Sequence, residues 1–199
     1  MVRENIVSEA IVSSRLISRA WGSLTEYELS YRRPDGDIGK MSREVYDRGH
    51  AAAVLLCHID RPTVVLVRQF RPPPLINGDN PYLLEACAGV LEGDTPEECI
   101  RREAIEEAGI VVRDLRKIVS AYCNPAALTE VVTLFIGTFD DESRTAGGGL
   151  AHEGEDIEVV ELPFETAFSM IGTGEIVDMK TIILLQALHI ELLTGGAKL

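Results

Sequence analysis

The sequence has no surplus of positive charge, few cysteines and no long apolar run, and each shortage removes a class of function. Against 32 acidic residues stand 19 lysines and arginines, a formal net charge of −13 over 199 residues. A nucleic-acid surface needs clustered cations, so no nucleic-acid partner is expected. The four cysteines, Cys57, Cys87, Cys99 and Cys123, are scattered in or beside apolar runs without CxxC spacing. They read as buried reduced thiols, not as a disulfide framework or a zinc site. No apolar stretch approaches the roughly 18 residues of a membrane span, and the start MVRENIVSEA has no h-region, which predicts a cytoplasmic chain with no membrane partner. The serines lack a GxSxG context, and none of His50, His58 and His189 pairs with a nearby nucleophile, so these histidines are read as structural. There are no repeats and no low-complexity tract. What is present is ordinary globular material, 46% hydrophobic and 26% charged, long enough to bury a sizeable core.

Along the chain, IVSEAIVSSRL, LTEYELSYRR and SREVYDR within residues 4–48 alternate partially and predict two or three strands, with Pro34-Asp35-Gly36 as a hairpin turn. The continuous apolar runs 51–59 and 63–70 suit strands buried on both faces. Arg71-Pro72-Pro73-Pro74 predicts a break in regular structure, continuing as a loop through Asn80. Residues 82–89 read as one strand, and 117–123, 130–139 and 157–163 as three more. Helices are expected near 163–172 and 178–194. The pattern predicts an α/β (α+β) fold, a mixed sheet sandwiched between helices, with an antiparallel N-terminal extension over 1–48 and the main domain over 49–199.

Between Gly89 and Ile110 the chain reads GVLEGDTPEECIRREAIEEAGI, in which 7 of 22 residues are acidic. Thr95-Pro96 starts a helix and Gly109 stops it. Ile100, Ala104 and Ala108 recur every four residues as an apolar face, while Glu103, Glu106 and Glu107 crowd onto a neighbouring one. Like charges at that spacing repel. A divalent cation turns the cost into a site, because hard oxygen ligands on one rigid face suit Mg²⁺. Arg102 lies four residues before Glu106 and is placed to hold it by an ion pair. Taken alone, the helix fits a solvated acidic face equally well.

The flanking pattern separates these readings. Gly89, Asp94, seven residues and then Arg102-Glu103-Ala104-Ile105-Glu106-Glu107-Ala108-Gly109-Ile110 resemble the Nudix hydrolase signature, in which a Gly, five residues, a Glu and seven residues precede REUxEExGU. Chance agreement at the six fixed positions is on the order of 10⁻⁷. The front departs, with only four residues between Gly89 and the acid, which is Asp94. REVYDRG (43–49), VVLVRQFR (64–71), LLEACAG (83–89), Gly147-Gly148-Gly149, EDIEVVELPF (155–164) and TGEI with MKT (173–181) are similar to the GDP-mannose pyrophosphatase branch, close to the ADP-ribose pyrophosphatases.

The resemblance implies a Nudix fold and Mg²⁺-dependent hydrolysis of a nucleotide sugar, with Mn²⁺ as a substitute ion. GDP-mannose is the first expected substrate and ADP-ribose the alternative; the remaining alternative is a non-catalytic nucleotide-binding domain. It implies metal ligation by Glu103, Glu107, Glu155 and the Ala88 carbonyl, with Glu106 as a ligand or water-orienting base beside Arg102. The Gly-rich loop before Glu155 reads as a closing lid, with Glu153 as the rival carboxylate. Arg43, Glu44, Arg71, Gly89, Glu130 and Lys180 are the further substrate-binding candidates. A homodimer through the N-terminal strands is also implied.

Overall fold

The computed structural model describes residues 10–149 and 156–196. They form two compact units, the first comprising the residues up to His50 with Ala121–Val131, the second Ala51–Ser120 with the residues from Val132 on. In the first, β1 (Ile11–Arg19), β2 (Ser23–Arg32) and β3 (Ile38–Asp47) make an antiparallel meander. The β2–β3 turn falls at Pro34–Gly36, where Gly36 takes a φ of 94° that a side chain would resist. The segment 121–131 joins this unit through the Tyr46 amide, which donates to Ala127, and the Thr129 hydroxyl, which donates to Asp47.

The second unit is built on a mixed sheet. Its strands are β4 (Ala51–His58), β5 (Thr63–Phe70), β6 (Tyr82–Glu85), β7 (Cys87–Val90), β8 (Leu115–Tyr122), β9 (Val131–Phe139) and β10 (Glu158–Pro163), with the path β10-β5-β4-β9-β8. The run read as one strand over 82–89 is two, because β5 and β4 diverge beyond their short pairing at 64–65 and 56–57. β6 pairs with β5 and β7 with β4, and Ala86 bridges the fork. The prolines after Arg71 also overturn an expectation. They open a short helix, α1 (Pro72–Asn77), since in a first turn the missing N–H groups have no intrahelical acceptor to lose.

Every residue of β4 is buried. Ala52, Val54 and Leu56 pack with Val65 and Val67 under Ile100, Ala104 and Ala108 of α2 (Pro96–Ala108). Helices α3 (Phe164–Thr173) and α4 (Met179–Thr194) complete the sandwich, burying Phe164, Ala167, Leu184, Leu185 and Leu188. Among the described residues no helix is long and apolar enough to cross a membrane. The four cysteines are free, with Cys57, Cys87 and Cys99 buried.

Candidate active site

Helix α2 starts and stops where its sequence says. The Thr95 hydroxyl accepts the Glu98 amide while Glu98 accepts the Thr95 amide, a capping box, and Gly109 ends the helix in the left-handed conformation. With its apolar face on the sheet, its carboxylates are carried to the side of β7. Glu107 is only 2% exposed, accepting the Ala88 amide at 3.0 Å and the Gln69 side-chain amide at 3.4 Å. Burial first, and then the charge and hydrogen bond of Glu107, push the Cys87 thiol well above its usual pKa. Glu103 lies against Gly89 so closely that a Cβ there would come within 2.1 Å of its carboxylate oxygen, which explains the glycine.

Arg102 gathers the rest. One Nη sits 2.9 Å from both Glu103 and Glu106, and Nε lies 3.8 Å from Asp94. Asp94, the residue at which the motif departs, is therefore an outlying partner of Arg102. The Gly147–Gly149 stretch straps the helix end: the Gly148 amide donates to the Glu107 carbonyl and the Gly149 amide to the Glu106 carbonyl, filling acceptors that a helix C-terminus leaves open. A Cβ on Gly147 would meet the Gly109 nitrogen at 2.3 Å, so the strap must be glycine. Glu153 and Glu155, which follow it, lie outside the described residues.

Beside this acidic face stands a cationic pair. Arg71 grips Glu85 through Nε at 2.8 Å and Nη2 at 3.2 Å. Lys180, in the first turn of α4, reaches the same carboxylate at 3.4 Å and Asp178 at 2.7 Å. Burial disfavours the Lys180 cation, but Asp178 and then Glu85 outweigh it and hold its pKa above the usual lysine value. Gln69, two residues before Arg71, donates its side-chain amide to Glu107 at 3.4 Å, so the two patches adjoin, and the Glu107 charge helps hold the Arg71 cation.

The structure thus brings Ala88, Gly89, Arg102, Glu103, Glu106 and Glu107 into one cluster, with Arg71 and Lys180 at its side. Arg43 and Glu44 lie on β3 and Glu130 just before β9, all in the first unit. Among the described residues no group of three or more His, Cys, Asp or Glu is arranged to hold a metal. The donors still fit Mg²⁺, which is commonly held by one or two carboxylates and completed by water and substrate phosphates. Sequence reasoning passed over Gln69 and Glu85, while Cys87 is the buried reduced thiol expected. The available signal was polarity inside apolar strands: Gln69 in TVVLVRQF and Glu85 in YLLEACAG.

A mixed sheet between helices, with a carboxylate-bearing helix packed beside a glycine strand, defines the class. The chain belongs to the Nudix family, whose NUDIX domain matches residues 48–178. Residues 10–46 match the GDP-mannose pyrophosphatase NudK N-terminal domain. The chain is 45% identical over 183 residues to the GDP-mannose pyrophosphatase of Escherichia coli O1:K1 / APEC, covering 91% of this chain and 95% of that one. It is 44% identical over 187 residues to that of Klebsiella pneumoniae subsp. pneumoniae, covering 94% of each. A crystal structure of an ADP compounds hydrolase superposes with a TM-score of 0.70 at 17% identity, over 95% of this chain and 96% of that one, a likeness of fold.

Proposed function

We propose that the protein hydrolyses GDP-mannose to GMP and mannose 1-phosphate, with Mg²⁺ as cofactor and Mn²⁺ as a substitute. The observation that carries this reading is the junction of the two patches: a carboxylate face suited to a divalent cation meets a cation pair suited to phosphate, in a chain whose relatives are named GDP-mannose pyrophosphatases. Glu103, Glu107 and the Ala88 carbonyl would hold the ion, with Glu155 joining from the loop. The Ala88 amide already faces Glu107, and in an extended strand a residue's amide and carbonyl point to one side. When bound, the ion polarises phosphoryl oxygens and lowers the pKa of attacking water. Glu106, held by Arg102, orients that water and takes its proton. Arg71 and Lys180 hold a phosphate group, and Gly89 admits substrate without a side chain in the way.

Arg43, Glu44 and Glu130 are assigned to the nucleotide and sugar, and residues 1–48 to a homodimer contact. Support for the contact comes from β1 and its turn, which leave Val12 63% and Trp21 83% exposed. The unpaired cysteines suit the cytoplasm, where we place the protein. The test of substrate is a panel of nucleoside diphosphate sugars with Mg²⁺, products separated by ion exchange. GMP and mannose 1-phosphate as the fastest-formed pair are expected; faster release of AMP and ribose 5-phosphate from ADP-ribose would displace GDP-mannose. Light scattering tests assembly, twice the 21.8 kDa chain mass being expected and a single chain mass refuting the dimer.

A further inference from the structure

Resting on this reading of the site, we infer that Glu85 is a positioning residue, whose carboxylate sets the Arg71 guanidinium and the Lys180 ammonium as a matched pair for one phosphate group of the substrate. Glu85 occupies the end of β6, 3% exposed and opposite the fully buried Val67 in register. Apolar residues in place of the whole Arg71–Glu85–Lys180 set would avoid the several kcal/mol that desolvating each charge costs, and buried ion pairs seldom stabilise a fold beyond an apolar replacement of similar volume. Stability does not account for the choice.

The donors show what Glu85 arranges. Arg71 gives Glu85 its Nε and Nη2 protons in a fork, which fixes the guanidinium plane. Among the described residues no acceptor takes Nη1. Lys180 spends two of its three protons on Glu85 and Asp178, leaving one. Both cations converge on the same oxygen, Oε2 of Glu85, at 3.2 and 3.4 Å. Their spare donors therefore belong to groups locked to one point, and a bound phosphate finds them already aimed. Asp178 is itself fixed as the cap of α4, accepting the Thr181 amide and hydroxyl, so Lys180 is held from both sides. Two carboxylates balance the two cations, so the pair presents oriented donors without the net charge that would retain an anionic product. Preorganisation of this kind acts on the reaction without Glu85 touching the substrate.

The test is a double-mutant cycle on kcat/KM, run on whichever nucleoside diphosphate sugar the protein turns over fastest, so that a wrong sugar leaves it intact. Glu85→Gln should lower kcat/KM about tenfold or more. In an Arg71→Ala background the same change should cost no more than about twofold, because its effect runs through Arg71. Without substrate, the Arg71 Nε–Hε resonance, assigned by its loss in Arg71→Lys, should be sharp in the parent and broadened by exchange in Glu85→Gln. Should Glu85→Gln fail to fold, Glu85→Asp keeps the charge but shortens its reach and should show the same coupling and broadening. Losses that multiply, parental kcat/KM in the Glu85 variant, or an unchanged resonance would each overturn the role.

Discussion

Two charged clusters sit at opposite ends of β4, built from the same residue types to different ends. Beyond His58, Arg61 and Arg144 face Asp141 and Glu161, two cations against two acids, with Thr63 donating to Glu161. The His58 Nδ1 accepts the Asp60 amide, and its Nε2 lies 3.5 Å from Asp141. Charge there is closed upon itself. On α2, Arg102 answers the three carboxylates of Asp94, Glu103 and Glu106, and Glu107 accepts from the neutral Ala88 and Gln69 amides. More carboxylates than cations beside Gly89 suit the divalent ion proposed there; the matched charges of the other cluster offer no such place.

The largest effect that could break this contrast is at Glu107. Glu107→Gln keeps the Ala88 and Gln69 contacts within reach but deletes the charge, and turnover should fall at least about a hundredfold at saturating Mg²⁺. Near-parental turnover would remove Glu107 from the site. Arg102→Met sharpens the comparison, since it deepens the surplus while freeing Glu106. Half-saturation with Mg²⁺ should occur at lower concentration and kcat should drop about tenfold, read from metal titrations of the rate. A weaker metal requirement without loss of kcat would deny Glu106 its orienting partner. Thr95→Ala should lower stability by about 1 kcal/mol in urea, by removing the capping box, with kcat unchanged.

The smallest effect is expected at the balanced end. Hydrogen bonding to Arg61 holds the Asp141 carboxyl far below the usual range. Its contribution to stability is therefore full above the unfolded carboxylate pKa of about 3.9 and fades as pH falls below it. The exposed pair makes this a shallow dependence. Asp141→Asn should flatten the urea-midpoint profile between about pH 5 and pH 3 and leave kcat within about twofold. A large loss of activity would mean that the two ends are coupled.

Helix α2 was legible almost atom by atom, because its caps, apolar repeat and carboxylate spacing are all local, as is the i to i+4 pairing of Arg102 with Glu106. The grouping of Arg102, Glu103, Glu106 and Glu107 beside Gly89 was legible through the motif. The fork between β6 and β7 was not, since it follows from the divergence of β4 and β5, which no spacing within 82–89 records. Nor was the Arg71–Glu85–Lys180 set, whose members lie 14 and 95 residues apart and meet only when the last helix docks. The proline helix was missed for a different reason: a rule about helix interiors does not hold in a first turn.

The fork at Ala86 has a kinetic side. Its buried amide belongs to neither strand ladder and donates instead to the Thr181 hydroxyl at 2.8 Å, a group 95 residues further along the chain. The sheet centre is thus finished by an element distant in sequence, and closing so long a loop must precede the reward for it. A chain still lacking α4 would hold a stranded N–H in its core, and strand β7 would have a slack anchor on one side. Docking of α4 then both completes the sheet centre and brings Lys180 to Glu85, so the two become one folding event.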